Sequence, residues 1–382
     1  MRVVQVVPSL AVGGLERVAT TLTLRLHERD TDVVVCTRGA YDDHTLQELL
    51  ERAGVPLVRI PRPRPRPRDL VAAALAIAPV LRKRRPDAIH AHNPGAAIAA
   101  ALARTLARAR ETAIVTTYHG LPPEKMGPAM RVLSLTSDLV TGIGPTATGE
   151  LAHAGFPRER LVTVRNATDA AATRPRDEVR REFGLEDAEI VTTVGRYVEE
   201  KNQALQLEAL AVLAPERPRL RGMLVGVGPL RDELDRRAHE LGIHDRVLLT
   251  GARADAIDIV AASDVLTLTS TREGLGLTLI EAMAVGTPVV ATAVGGIVDV
   301  VVDDETGLLV SAGDVHGLAR AIARLLDDDA LRARLVARGR ARVEAEFSVD
   351  AMVDGYLAAY STAASRRRTR VSARRAGASP SK

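Results

Sequence analysis

Short runs of β-branched and other apolar residues alternate along the chain with longer stretches whose apolar positions recur at helical spacing. "RVVQVV", "DVVVCT", "AIVTTY" and "EIVTTV" belong to the first kind, and "LVAAALAIAPVLRKR" to the second. Continuous apolar runs predict strands covered on both faces, and the helical spacing predicts the helices that cover them. Strands are expected at 2–7, 32–37, 55–60, 87–92, 112–118, 139–143 and 161–164. A second series is expected at 189–194, 221–225, 246–250, 265–269, 288–292 and 307–310. Their alternation with helices places the chain in the α/β class, with two Rossmann-like, doubly wound parallel sheets. Between the two series "TDAAATRPRDEVRREFGL" is polar, contains Pro175 and carries no strand pattern. The expected organisation is a first domain over 1–175, joined by a returning helix at 349–364, and a second over 184–348. A basic, disordered tail is expected over 365–382.

The length of 382 residues leaves room for two cores. With no Trp, 3 Phe and 5 Tyr, those cores must be built from Val, Leu, Ile and Ala. The formal charge of +4 misleads: residues 361–382 carry six Arg and one Lys without an acid, so the rest of the chain stands at −3. A basic tail on a mildly acidic body, with few aromatic platforms, argues against nucleic acid as a partner. The single Cys36 fits a reducing compartment. No signal-peptide pattern and no long apolar run occur, so a cytoplasmic protein is expected. "PRPRPRPRDL" predicts an extended, solvated polyproline segment. With residues 82–85 and the tail, it raises peripheral contact with an anionic surface at the inner membrane face as a separate expectation.

In doubly wound sheets ligands bind beyond the carboxyl ends of the strands. After the first strand, Gly13 and Gly14 open a helix whose free N–H groups favour an anion. After strand 189–194 come Gly195, Arg196 and Lys201, a cation pair suited to a diphosphate or matched to Glu199 and Glu200. Gly226 and Gly228 form a lone G-x-G with Arg231 at the sixth position, too weak a pattern for a dinucleotide. After strand 265–269, Glu273 sits in a loop with Gly274, Leu275, Gly276 and Leu277, and a helix starting near Thr278 carries Glu281 in its first turn. Thr278 and Glu281 also match a capping box, a structural alternative. The loop amides and the helix's positive end suit pyrophosphate, and the carboxylates suit sugar hydroxyls. His119 follows strand 112–118, where it could donate a hydrogen bond or shuttle protons near neutral pH. His90 and His92 read as packing or cleft-lining residues, residues 327–329 as an acidic helix end, and no metal set is expected.

With these residues assembled, the chain resembles the retaining glycosyltransferases of family 4, the group 1 glycosyl transferases. The resemblance rests on "GGLERVA", "TTYHG", "VGRYVEEKN", "GVGPLRDEL", "VLLTG" and "EGLGLTLIEAMAVGTPVVATAVGG", which holds two glutamates with seven residues between them. It implies the GT-B fold, with the two domains facing a cleft, and a metal-independent transfer from a nucleoside-diphosphate sugar to a hydroxyl acceptor without a cofactor. Arg196 and Lys201 would hold the diphosphate, Glu281 the ribose, and Glu273 with the amides of 274–277 the donor sugar. His119 would face that sugar, and Gly13 and Gly14 the donor phosphates or the acceptor. The loop at residues 250–253, with Gly251 and Arg253, would contact the base through backbone atoms. His119, Glu273, Arg196 and Lys201 would be the catalytic set. A sugar-nucleotide epimerase of the same fold and a non-catalytic nucleotide-sugar-binding protein are the alternatives. The family's Asn-Gly-Val-Asp is here Asn166-Ala167-Thr168-Asp169, which puts backbone geometry at Ala167 in question.

Overall fold

The computed structural model describes residues 1–10, 13–40, 44–61 and 66–376. The chain divides into two compact units, residues 1–166 with 349–382, and residues 167–348.

The first unit is a seven-stranded sheet of β1 (Arg2–Val7), β2 (Asp32–Thr37), β3 (Leu57–Arg59), β4 (Ala88–Ala91), β5 (Ala113–Tyr118), β6 (Leu139–Gly142) and β7 (Leu161–Thr163). Its order is β3-β2-β1-β4-β5-β6-β7, and all pairings are parallel. Parallel neighbours need crossovers, supplied by α1 (Gly14–Glu28), α2 (Thr45–Arg52), α3 (Pro67–Arg84), α4 (Pro94–Leu106), α5 (Pro123–Thr136) and α6 (Pro145–His153). The core between α3, α4 and the sheet is rich in alanine, including Ala73, Ala74, Ala96, Ala97, Ala100 and Ala103 against Val4, Val6 and Ile89. Small side chains let these helices approach the strands without aromatic bulk. Part of the expected polyproline segment, 62–65, lies outside the described residues. Pro67 instead opens α3, where its missing N–H costs no helical bond.

The second unit begins with α7 (Arg176–Glu182) and continues with β8 (Glu189–Val194), α8 (Gln203–Leu213), β9 (Leu220–Val225), α9 (Arg231–Glu240) and β10 (Val247–Gly251). It goes on through α10 (Ala256–Ala262), β11 (Val265–Leu268), α11 (Leu277–Val285), β12 (Val289–Thr292), α12 (Ile297–Val300), β13 (Leu308–Val310), α13 (Val315–Asp327) and α14 (Asp329–Glu346). The strand order is β10-β9-β8-β11-β12-β13, again parallel throughout. Residues 167–175, expected in the first domain, and 176–183, expected between the two, are tied into this unit. The Asp258 carboxylate accepts from the backbone N–H groups of Thr173 (2.5 Å) and Arg174 (3.1 Å). Buried Arg180 donates to the Ala262 and Ala188 carbonyls and pairs with Asp264 at 2.8 Å. Ala167 is buried and is not among the residues with positive φ, so its methyl group carries no backbone strain.

The final helix, α15 (Val349–Ala376), belongs to the first unit. Its Tyr356 and Tyr360 hydroxyls meet Thr117 (3.1 Å) and His90 (2.8 Å) in the interior. Arg29 pairs with Asp350 and Asp354, both at 2.5 Å. Residues 365–376, expected as disordered, continue this helix. The reason is electrostatic: Arg367 reaches Asp138 (3.3 Å) and the Arg110 carbonyl (2.8 Å), Arg368 reaches Asp87 (3.3 Å), and Arg366 donates to the Glu159 carbonyl. Residues 377–382 lie outside the described part. Among the described residues no helix is long and apolar enough to cross a membrane.

Candidate active site

In the second sheet the strand order reverses between β8 and β11, the position at which open α/β sheets bind ligands. The segments leaving these two strands are stitched together. After β8, Gly195 and Arg196 lead to a short 3-10 turn (Glu199–Lys201), and Asn202 with φ of 45° turns the chain into α8. The Gln203 side-chain amide donates to the Arg196 carbonyl (2.9 Å). After β11, the Thr269 hydroxyl donates to the Asn202 carbonyl (2.9 Å), and the Thr271 N–H donates to the Glu200 carbonyl (2.9 Å). Arg272 pairs with Glu200. Lys201 Nζ donates to Glu273 Oε2, and the buried Ser270 hydroxyl donates to the same oxygen at 3.2 Å. The Lys201 and Glu273 side chains are only 23% and 14% exposed, so this ion pair is held largely out of water. Arg196 is exposed and makes no ion pair among the described residues. The matching of Arg196 and Lys201 to Glu199 and Glu200, raised as a structural alternative, is not what forms.

Glu273 and its glycine loop lead directly into α11. Gly276, with φ of 88°, takes the left-handed conformation that glycine adopts without steric cost, and the helix starts at Leu277. Thr278 therefore lies inside the helix, and no side chain caps it. The capping box does not form, and Glu281 sits beyond the first turn, 2% exposed. The first N–H groups of α11 carry the positive end of the helix dipole, next to the loop that bears Glu273.

The loop after β12 supports this arrangement, through residues whose role the sequence does not announce. The Gly296 N–H donates to the Glu273 carbonyl (2.9 Å). A Cβ on Gly295 would stand 2.1 Å from the Glu273 carbonyl oxygen, and one on Gly296 would stand 2.0 Å from that of Gly274. The glycine pair closing "ATAVGG" is the only signal that could have revealed this. Ser270 has no such signal.

The other motifs of this unit, with the expected donor residues Gly251 and Arg253 among them, have structural partners. A Cβ on Gly226 would meet the Gly195 carbonyl at 1.9 Å, and one on Gly228 would meet that of Tyr197 at 2.3 Å. The G-x-G thus lets the β9 loop lie on the β8 loop. The Gly251 carbonyl accepts from the Gly226 N–H (2.8 Å). Arg253 is committed to Asp255 (2.8 Å) and Glu182 (2.7 Å), so its guanidinium is already engaged. Asp328 caps α14 through the Leu331 N–H, and Asp329 pairs with Arg332.

In the first unit Gly13 caps α1 in an extended conformation, and Gly14 is its first residue. The helix end already holds an anion: the Glu16 carboxylate accepts from Ser9 (3.2 Å) and lies 2.6 Å from where a Gly13 Cβ would be. His119 stacks on His92 (ring centroids 6.2 Å apart), which lies tilted at 35° against His90 (4.0 Å). His92 Nε2 meets the Gln5 side-chain oxygen Oε1 at 2.6 Å, and His90 Nε2 meets the Thr117 hydroxyl at 2.6 Å. Burial lowers His119 to about 4 and His90 to about 3, and holds His92 well below its ordinary value. All three are neutral at pH 7, so His119 offers a hydrogen bond there and not the proton shuttle that a free imidazole would provide. His119 Nε2 is buried and has no hydrogen-bond partner among the described residues.

Two family models cover nearly the whole chain: Glycosyltransferase Family 4 over residues 12–172 and Glycosyl transferases group 1 over residues 175–342. N-acetyl-alpha-D-glucosaminyl L-malate synthase of Bacillus anthracis is 30% identical, covering 92% of this chain and 94% of that protein. The chain belongs to glycosyltransferase family 4. This glycosyltransferase is also 31% identical to the 2-deoxystreptamine glucosyltransferase of Streptomyces kanamyceticus, over 81% of this chain and 86% of the relative. Anabaena HepE, solved in complex with UDP-glucose, shares the GT-B fold with a TM-score of 0.83 at 23% identity, covering 95% of this chain and 100% of that one.

Proposed function

We propose that this family 4 glycosyltransferase transfers a sugar from a nucleoside-diphosphate sugar to a hydroxyl acceptor, with retention at the anomeric carbon and without a divalent metal. The observation that carries the reading is the Lys201–Glu273–Ser270 cluster beside the N-terminus of α11, at the switch point of the second sheet. A departing diphosphate gains negative charge as the anomeric C–O bond breaks. Arg196, Lys201 and the α11 amides answer that charge with cations and helix dipoles gathered at one edge of the sheet, the task a divalent cation performs in other transferases. Glu281 takes the ribose hydroxyls, and Glu273 takes the sugar once Lys201 turns to phosphate. The His119 Nε2 is a buried polar atom suited to a sugar hydroxyl. In a same-face displacement, the acceptor oxygen forms its bond to the anomeric carbon as the phosphate oxygen leaves. The acceptor's proton passes to that phosphate oxygen, so Glu273 forms no covalent intermediate. The structure of HepE with UDP-glucose supports a nucleotide-sugar donor for this fold.

A thermal-shift panel of UDP-, GDP-, ADP- and dTDP-sugars, followed by product analysis with hydroxyl acceptors in EDTA, tests this. One donor should stabilise the protein, release its nucleoside diphosphate in the presence of acceptor, and yield a product with the donor's anomeric configuration. Conversion of a donor incubated alone would favour the epimerase, and tight donor binding without any transfer the binding protein. Failure of every donor to bind would refute the reading. Peripheral contact with an anionic surface is a separate part of this reading, and equal sedimentation with neutral and anionic vesicles at low salt would remove it. Arg84 pairs with Asp32, and Arg366, Arg367 and Arg368 have partners within their own unit.

A further inference from the structure

Helix α9 and the turn after it bring together three potential metal ligands that the transfer reaction does not use. Asp235 and His239 are four residues apart on α9 and so share a face. Gly242, with φ of 67°, then reverses the chain: its N–H donates to the His239 carbonyl (3.0 Å), and the N–H of buried Ile243 donates to the Ala238 carbonyl (3.0 Å). This turn lays His244 back over His239, with ring centroids 3.6 Å apart and planes at 15°. His244 Nδ1 lies 3.5 Å from Asp235 Oδ1, and one ligand atom from each of the three residues lies within 4.8 Å of the others.

The geometry points to a divalent transition-metal site formed by Asp235, His239 and His244, of the class that binds Zn2+. A tetrahedral ion with ligands at about 2.0–2.1 Å spaces them roughly 3.4 Å apart. The Asp235–His244 pair already stands at that spacing, and rotation of the His239 ring completes the triangle. Two imidazoles and one carboxylate suit Zn2+, Co2+ or Ni2+ and not Mg2+ or Ca2+, which take oxygen ligands. The C-terminal end of α9 adds a field that favours a cation. Nearby cations point elsewhere: Arg236 pairs with Glu240, Arg237 with Glu208 and Glu240, and Arg246 donates to the Arg217 carbonyl. Asp235 and His244 are each a little under half exposed, which leaves coordination positions to water and makes the ion exchangeable. His239 lies eight residues along α9 from Arg231, about 12 Å from the helix end that follows the Gly226 and Gly228 loop. Bound metal would therefore clamp α9 to the turn that leads into β10 and stabilise the second unit, leaving the transfer chemistry to Arg196 and Lys201.

The untagged full-length protein should be titrated with Zn2+ by calorimetry and with Co2+ by visible absorption, with Mg2+ as the control. One equivalent of Zn2+ should bind with a Kd below about 100 μM, and Co2+ should show the intense visible bands of low coordination. At a hundredfold excess over Kd the melting temperature should rise on the order of 5 °C. His239→Ala and His244→Ala, both at exposed or half-exposed positions, should each weaken binding at least about tenfold. His153→Ala, at an exposed histidine elsewhere, should leave binding unchanged. Absence of saturable Zn2+ binding in this range, or full binding in either His239→Ala or His244→Ala, would overturn the assignment and leave Asp235 and His244 as an ordinary polar contact. No sugar donor enters the measurement, so its outcome is independent of the donor reading.

Discussion

Replacing Lys201 by Met should separate two roles of one ammonium group, because Lys201 serves Glu273 in the donor-free protein and phosphate in the proposed complex. The side chains are 23% and 14% exposed, which puts the pair between a surface ion pair, worth under about 1 kcal/mol, and a buried one, whose rupture costs about 3–5 kcal/mol. Ser270 still donates to the stranded carboxylate at 3.2 Å, so a loss of about 1–3 kcal/mol in stability is expected. In a unit of this size that is about 2–4 °C of melting temperature per kcal/mol. Donor use suffers separately. A hydrogen bond to a charged phosphate contributes about 1.5–3 kcal/mol, so kcat/KM for the donor should fall about 10- to 150-fold. The unpaired Glu273 also repels the diphosphate. Glu273→Gln is the discriminating partner: it removes the anion that competes for Lys201, so the nucleoside diphosphate should bind at least as tightly as to the parent protein while turnover falls. Calorimetry with that nucleoside diphosphate, beside initial rates and thermal melts, reads all three quantities. If Lys201→Met melts lower yet binds the nucleoside diphosphate and turns over donor as the parent does, the pair is structural only and the diphosphate assignment is wrong.

Two further outcomes follow from the geometry. Gly296→Ala should abolish most donor use and lower the melting temperature, because its Cβ would stand 2.0 Å from the Gly274 carbonyl oxygen and must push the Glu273 loop aside; an alanine variant with parental rates and stability would refute that support. Acid should unfold the first unit early, since His119, His90 and His92 have folded values below the unfolded 6.5 and the unfolded chain binds more protons below that pH. Stability is then fully present above about 6.5 and is lost as the pH falls toward 4, by up to about 1.4 kcal/mol per pH unit for each histidine. Denaturant melts across this range should show a shallower slope in His92→Gln than in the parent.

The central strands were legible because they are buried on both faces, which writes a continuous apolar run. Strand ends were less so: the run at 55–60 pairs only over Leu57–Arg59, because an edge strand is bonded on one side alone. The helix start after Glu273 was misplaced for a local reason. Thr278 and Glu281 match a capping pattern in type and spacing, but Gly276 takes the left-handed turn first and starts the helix one residue earlier. The basic C-terminal segment misled for a distant one. Asp87, Asp138 and the Arg110 carbonyl, which hold it, lie more than two hundred residues away in the chain, beyond any window in which charge runs are judged. Packing of α15 likewise buries His90, and nothing beside "HAHNP" encodes that helix.

The candidate site was half legible in a more instructive way. Each motif could be seen to follow a strand, so Lys201 and Glu273 were both expected at a carboxyl edge. That they share an ion pair depends on β8 and β11 being neighbours in the sheet, although 72 residues separate the two side chains and β9 and β10 intervene in sequence. Strand adjacency is fixed by which crossover helices cover which face, and residue type along one segment does not report it. The reversal in strand order is therefore what turns two separately readable loops into one charged cluster. The same step explains why Ser270, Gly295 and Gly296 escape a reading of the sequence: they act only on a loop that the sheet order, and not the local pattern, brings to them.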